Sequence, residues 1–156
     1  MIPHLSPLII ICITIVAEAL SLGIAGQERV YTVIRNRAMN TYGNIEIESL
    51  AKTTQKPNQF SCWLDEELIL RTMKKSWYLT DTLEIIEKDN LRCEVGQAKH
   101  YLTKRLFCSK DRPSWSNYGT VRFWEPKGHV FLEGVDELIT RDFNKDEKIC
   151  GGRTWE

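Results

Sequence analysis

Residues Leu8 to Ala17 read LIIICITIVA, an apolar run interrupted only by Thr14. A run of this length suits the h-region of a secretory signal peptide and is short for a membrane span. Small residues follow it, in Ala17-Glu18-Ala19 and again in Gly23-Ile24-Ala25-Gly26. The segment before it holds no Lys or Arg, only the α-amino group and His4. The rival assignment is an uncleaved anchor from Leu5 to Ala25, which must carry Glu18 into the bilayer. A carboxylate there costs about 2.5–3.5 kcal/mol on insertion scales. The run therefore predicts a signal peptide over 1–26, cleaved after Gly26 or after Ala19. A single secreted, extracellular domain over 27–156 follows, with no stable membrane insertion after cleavage.

The charge pattern fits that picture. Lys plus Arg number 21 and Asp plus Glu number 21, and every basic residue lies beyond residue 26. The signs are interspersed, with no basic arm or acidic tail. A near-neutral chain offers no broad field for nucleic acid or anionic membrane. Cys12 lies inside the apolar run and would leave with it. Cys62, Cys93, Cys108 and Cys150 remain, an even number that reads as two disulfides of open connectivity. A bridge from Cys93 to Cys108, closing roughly 15 residues, would stabilise by about 3 kcal/mol in the chain-entropy model.

Hydropathy patterning then sets the fold class. Residues 27–60 are ambiguous between helix and strand, because Val30, Val33, Ile34 and Ala38 fit a helical stripe while Val30 to Ile34 is also β-rich. Thr41-Tyr42-Gly43-Asn44 suggests a turn, and Lys52 to Asn58 a loop. Residues 64–75 predict a helix, with Asp65, Glu66 and Glu67 in the first turn and Lys74 and Lys75 in the last, complementing the dipole. From Trp77 the alternation Trp77, Leu79, Leu83, Ile85 predicts a half-buried strand, with Asp81 on its apolar face. Leu91 to Val95 and His100 to Cys108 are further strand predictions. Thr120 to Trp124 and His129 to Glu133 flank Glu125-Pro126-Lys127-Gly128, a hairpin around a type I turn. Val135 to Ile139 suggests a last short element. The expected architecture is mainly β, an antiparallel meander or barrel with an early helix.

Motifs that carry chemistry are scarce. No nucleophile elbow, phosphate loop, dinucleotide fingerprint or H-E-x-x-H occurs in the sequence. Asp142 to Asp146 begins like a calcium loop, but Glu147 stands where glycine is needed and Arg153 where a bidentate glutamate is needed. His100 and His129 form the one conceivable acid–base pair, with Lys104 as anion stabiliser. No cofactor or metal is expected, and the chain reads as a binding protein rather than an enzyme. Five Trp are present, one of them, Trp115, in a polar loop with Tyr118.

A leader, an early helix, and then Ser76-Trp77-Tyr78-Leu79-Thr80 opening a β-meander with Cys93 soon after resemble secreted lipocalins, in particular the salivary proteins of ticks and triatomine bugs. The resemblance implies a disulfide-stapled barrel that sequesters a small amine or hydrophobic ligand. On the strand alternation, Trp77, Leu79 and Asp81 are the candidate pocket residues of such a barrel. The alternatives are a pocketless inhibitor or effector that binds a host protein through the Trp115–Tyr118 loop, and a small secreted hydrolase built on His100 and His129.

Overall fold

The computed structural model describes residues 4–56, 59–75 and 79–151. The chain forms two compact units, Met1–Arg92 and Cys93–Glu156.

The first unit is helical. Helix α1 (Pro7–Ala19) starts where Ser6 Oγ accepts from the Ile9 amide at 3.4 Å, with proline in the first turn. Its interior is buried almost all round: Ile10, Ile11, Cys12, Ile13, Thr14, Ile15, Val16 and Ala19. A helix apolar on every side must be surrounded by protein or lipid. Here α2 (Gly23–Tyr42), α3 (Ile47–Gln55), α4 (Glu66–Met73) and α5 (Leu79–Glu87) all pack against it. Its one mid-helix hydroxyl is satisfied twice, since Thr14 Oγ1 donates to the Ile10 carbonyl at 2.8 Å and accepts from Trp63 Nε1 at 2.9 Å. The apolar run read as a signal-peptide h-region forms this helix, against which the others pack.

The other helices follow ordinary rules. Helix α2 buries Val30, Tyr31, Val33, Ile34 and Ala38. It stops at Gly43, whose left-handed φ of 73° lets its amide reach the Met39 carbonyl at 3.0 Å. Asp65 caps α4 by accepting from the Leu68 amide at 3.0 Å. A polar seam ties α2 to the segment after α5: Tyr31 Oη donates to Asp89, which also takes Arg35 Nε at 3.0 Å.

The second unit carries a three-stranded antiparallel sheet of order β1-β3-β2, from β1 (His100–Thr103), β2 (Thr120–Trp124) and β3 (His129–Glu133). The β2–β3 hairpin lies where the sequence placed it, and the Gly128 amide closes its turn on the Glu125 carbonyl at 3.2 Å. Helix α6 (Lys104–Phe107) and helix α7 (Asn144–Cys150) complete the unit around Leu102, Phe107, Val130, Leu132, Val135 and Ile149. A Cys108–Cys150 disulfide closes α6 onto α7.

The expected mainly-β barrel is therefore corrected to a mostly helical chain with a small open sheet. Two segments account for the difference. Residues 79–87, read as a strand, are helix α5, because Thr82, Ile85 and Ile86 recur at helical spacing and all three are buried. Their β-branched side chains imitate a strand, and tertiary packing overrides that local preference. Cys93–Val95 is a single 3-10 turn, and the predicted strand from His100 stops at Thr103, whose Oγ1 caps α6 through the Leu106 amide at 3.2 Å. Val135 to Ile139 forms turns. The lipocalin barrel, with its internal ligand pocket, has no counterpart in this sheet.

Candidate active site

The last turn of α1 breaks the helix's own rule. After residues chosen for burial comes Glu18, only partly exposed, between the cleft-lining Ala17 and the fully packed Ala19. The helix ends there, because Ala19 leaves helical geometry and Leu20–Leu22 forms a 3-10 turn before Gly23, whose φ of 72° redirects the chain into α2. This corner and one face of α4 enclose a cleft of about 410 Å³. Val16, Ala17, Leu20 and Leu68 supply apolar wall, while Glu18, Ser21, Thr72 and Lys75 supply polar groups. That volume lies within the usual range for small-molecule and subsite clefts, about 300–1,000 Å³.

Among the residues lining the cleft, Glu18 is the one carboxylate. Thr72 Oγ1 donates to the Leu68 carbonyl at 2.8 Å, so its lone pairs remain to accept from a ligand hydroxyl. Cys62 lies within electrostatic reach of Glu18, and its thiol is pushed up to about 12, by burial first and by the Glu18 charge second. A thiol so raised stays protonated near neutrality and is no nucleophile. The cleft therefore presents a proton-exchanging group without an activated nucleophile beside it.

Other sequence-derived sites fare differently. His100 and His129 are not a pair. His100 stands opposite Leu132 and His129 opposite Thr103, three positions apart on β3, so they lie on opposite faces of the sheet. His129 packs its ring on Tyr101 at 4.6 Å beside buried Glu125, while His100 Nε2 is 3.5 Å from Asp136. Lys104 Nζ sits over the Trp124 ring at 4.9 Å. Of the three pocket residues, Leu79 is half-buried and Asp81 exposed in the first turn of α5, where its charge favours the helix dipole. Trp77 lies outside the described residues. Asp146, from the calcium-like segment, is fully buried between Arg112 and Arg141 instead.

Of the four cysteines expected to pair, Cys108 and Cys150 do so. Cys62 is a buried free thiol, as is Cys12, and Cys93 is an exposed one. Burial pushes the Cys12 thiol to about 12 as well. Near pH 8 an aromatic disulfide reagent should therefore titrate Cys93 alone in the folded protein. Unfolding without reductant should raise the count to all three free thiols. Two fast-reacting thiols in the native state would contradict the packing of α1 and the 3-10 turn at Ser61–Leu64.

No protein-family model, curated protein or solved structure matches the chain. The site must be read from its own chemistry. Sequence reasoning passed over Glu18, although the signal was present. The sequence weighs this carboxylate only as a cost to a membrane anchor, and the structure places it in the lining of a cleft.

Proposed function

We propose that the chain is a hydrolase that cleaves glycosidic bonds in a polysaccharide, with Glu18 as its general acid. The observation that carries this reading is a single partly shielded carboxyl in a cleft of mixed apolar and hydroxyl lining. Glycosidic bonds are acetals, whose cleavage begins with protonation of the bridging oxygen by a carboxylic acid and is completed by attack of water on the sugar carbon.

In this reading the protonated Glu18 carboxyl gives its proton to the bridging oxygen. The carbon–oxygen bond breaks, and the oxocarbenium-like sugar takes up water. The Glu18 carboxylate then removes a proton from that water and returns to its acid form. Ser21, Thr72 and Lys75 bind sugar hydroxyls, and Val16, Leu20 and Leu68 meet the apolar faces of the rings. The Cys108–Cys150 bridge favours a workplace outside a reducing cytosol, where structural polysaccharides occur. This reading requires the helix Pro7–Ala19 in the working protein, because that helix carries the acid. This differs from a hydrolase built on His100 and His129, and from a ligand carrier.

The test is product analysis. The intact chain is incubated with insoluble chitin, bacterial peptidoglycan and a soluble β-glucan, and new reducing ends and released fragments are measured. Sugar fragments from at least one polymer are expected. Intact polymers in all three cases overturn the proposal.

A further inference from the structure

We infer that the Cys108–Cys150 disulfide is a redox switch for the second unit. Its reduction by a dithiol releases helix α7 and, with α7, the loop over residues 109–119, while the three-stranded sheet stays formed.

Helix α7 depends on the bridge. It is seven residues long, Asn144–Cys150, and helices shorter than about 12–15 residues are marginal on their own. Within α7 only Asp146, Ile149 and Cys150 are buried, so its apolar attachment is Ile149 and the bridged cysteine itself. The bridge joins it to Cys108, at the end of α6, across 42 residues of chain. A link over so long an interval removes many open conformations, and cutting it restores them.

Asp146 extends the consequence to the loop. The side chains of Arg112 and Arg141 are 2% and 4% exposed, and both pair with Asp146, which is fully buried. Arg141 Nε and Nη2 straddle its two oxygens at 3.0 and 3.2 Å, and Arg112 Nη2 meets one of them at 3.2 Å. The same two guanidiniums hold the loop. Arg112 donates to the Phe107 carbonyl at 3.1 Å and to Asn117 Oδ1 at 3.0 Å. Arg141 donates to the carbonyls of Ser116 at 2.6 Å, Tyr118 at 2.9 Å and Gly119 at 3.2 Å. Burial is the largest influence on the Arg112 guanidinium and pushes its pKa down, and Asp146 opposes that push. Cations left in the interior without the carboxylate they share are strongly unfavourable. When α7 leaves, both must reach water, and the loop carbonyls they hold go with them. The sheet is spared, because its strands hydrogen-bond one another, and Leu102, Val130 and Leu132 of its core lie outside α7.

The chemistry balances with a dithiol alone. One of its thiolates attacks a sulfur of the bridge, the S–S bond breaks, and its second thiolate closes on the mixed disulfide. The protein gains two electrons and two protons as the thiols of Cys108 and Cys150, and the dithiol becomes a cyclic disulfide. Cys108 is more exposed than Cys150, so attack is open there.

The experiment compares the full-length chain before and after treatment with dithiothreitol, with opening of the bridge verified by mass. Amide hydrogen exchange in α7 and at Ser116 and Tyr118, whose amides are bonded within the loop, should quicken on the order of 100-fold. Exchange in β3 should hardly change. Trypsin should cut after Arg141 only in the reduced chain. A Cys108→Ser/Cys150→Ser chain should match the reduced protein with no reductant present. Asp146→Asn in the oxidised chain should open the loop at Ser116 and Tyr118 while the bridge is intact. Equal protection of α7 and the loop in both redox states, with the bridge shown to be open, overturns the inference, as does an Asp146→Asn loop that exchanges as slowly as the wild type. So does loss of protection throughout β1, β2 and β3 on reduction, which would make the bridge a staple for the whole unit.

Discussion

Glu18→Gln is expected to leave the fold intact and to lower polysaccharide cleavage by about 100- to 10,000-fold, the usual contribution of a positioned general acid. Glutamine matches glutamate in size and polarity, so the partly exposed corner between α1 and α2 loses no packing. What it loses is the ability to hand over a proton. Glu18→Asp keeps the proton but withdraws it by one methylene. A misplacement of about 1 Å can cost on the order of 100-fold, so the aspartate variant should fall between the two. Reducing-end release at matched concentrations, with circular dichroism as the check on folding, reads both. Wild-type rates in Glu18→Gln would remove the acid from the mechanism.

A chain that begins at Gln27 is expected to lose its helical unit. Ile10, Ile11, Ile13, Ile15 and Val16 are each at most 9% exposed. Each such side chain stabilises by roughly 1.5–3 kcal/mol, so their sum is comparable with the entire stability of a domain, about 5–15 kcal/mol. Deletion also strips the buried faces of α2 to α5 of their common partner. The truncated protein should show much weaker helical circular dichroism and should bind hydrophobic dyes. A cooperative, fully helical unfolding transition in the truncated protein would contradict the packing described for α1.

The sequence was legible where local rules and tertiary context agree. Asp65 with Glu66 and Glu67 announces the start of α4, and Glu125-Pro126-Lys127-Gly128 between two short β-rich runs announces the hairpin. It misled where one pattern satisfies two periods. Leu79, Leu83 and Ile85 fit a strand alternation while Leu79, Thr82, Ile85 and Ile86 fit a helical stripe, and only the partners of α5 decide between them. Cysteine parity was similarly incomplete. Cys108 and Cys150 meet across 42 residues, yet no spacing rule identifies Cys62 as a buried thiol instead of a disulfide half.

The candidate site was hidden by the same ambiguity at a larger scale. An all-round apolar helix near an amino terminus has the composition of a leader, an anchor or a core helix. What separates the third case is how neighbouring segments cover it, and that information is spread over α2 to α5. Glu18 then changes meaning. In a leader it is an oddity, and in a membrane span a penalty. At the end of a core helix it is a carboxyl delivered to a cleft.

The most direct test is the intact mass of the species that carries the proposed activity. If α1 is the core helix that presents Glu18, the mass of the active species includes the whole of Pro7–Ala19. Its unfolding then reveals three free thiols, Cys12 among them. A fully active species whose mass begins at Leu20, after cleavage behind Ala19, or at Gln27, after cleavage behind Gly26, would lack both the helix and the acid and would contradict the account.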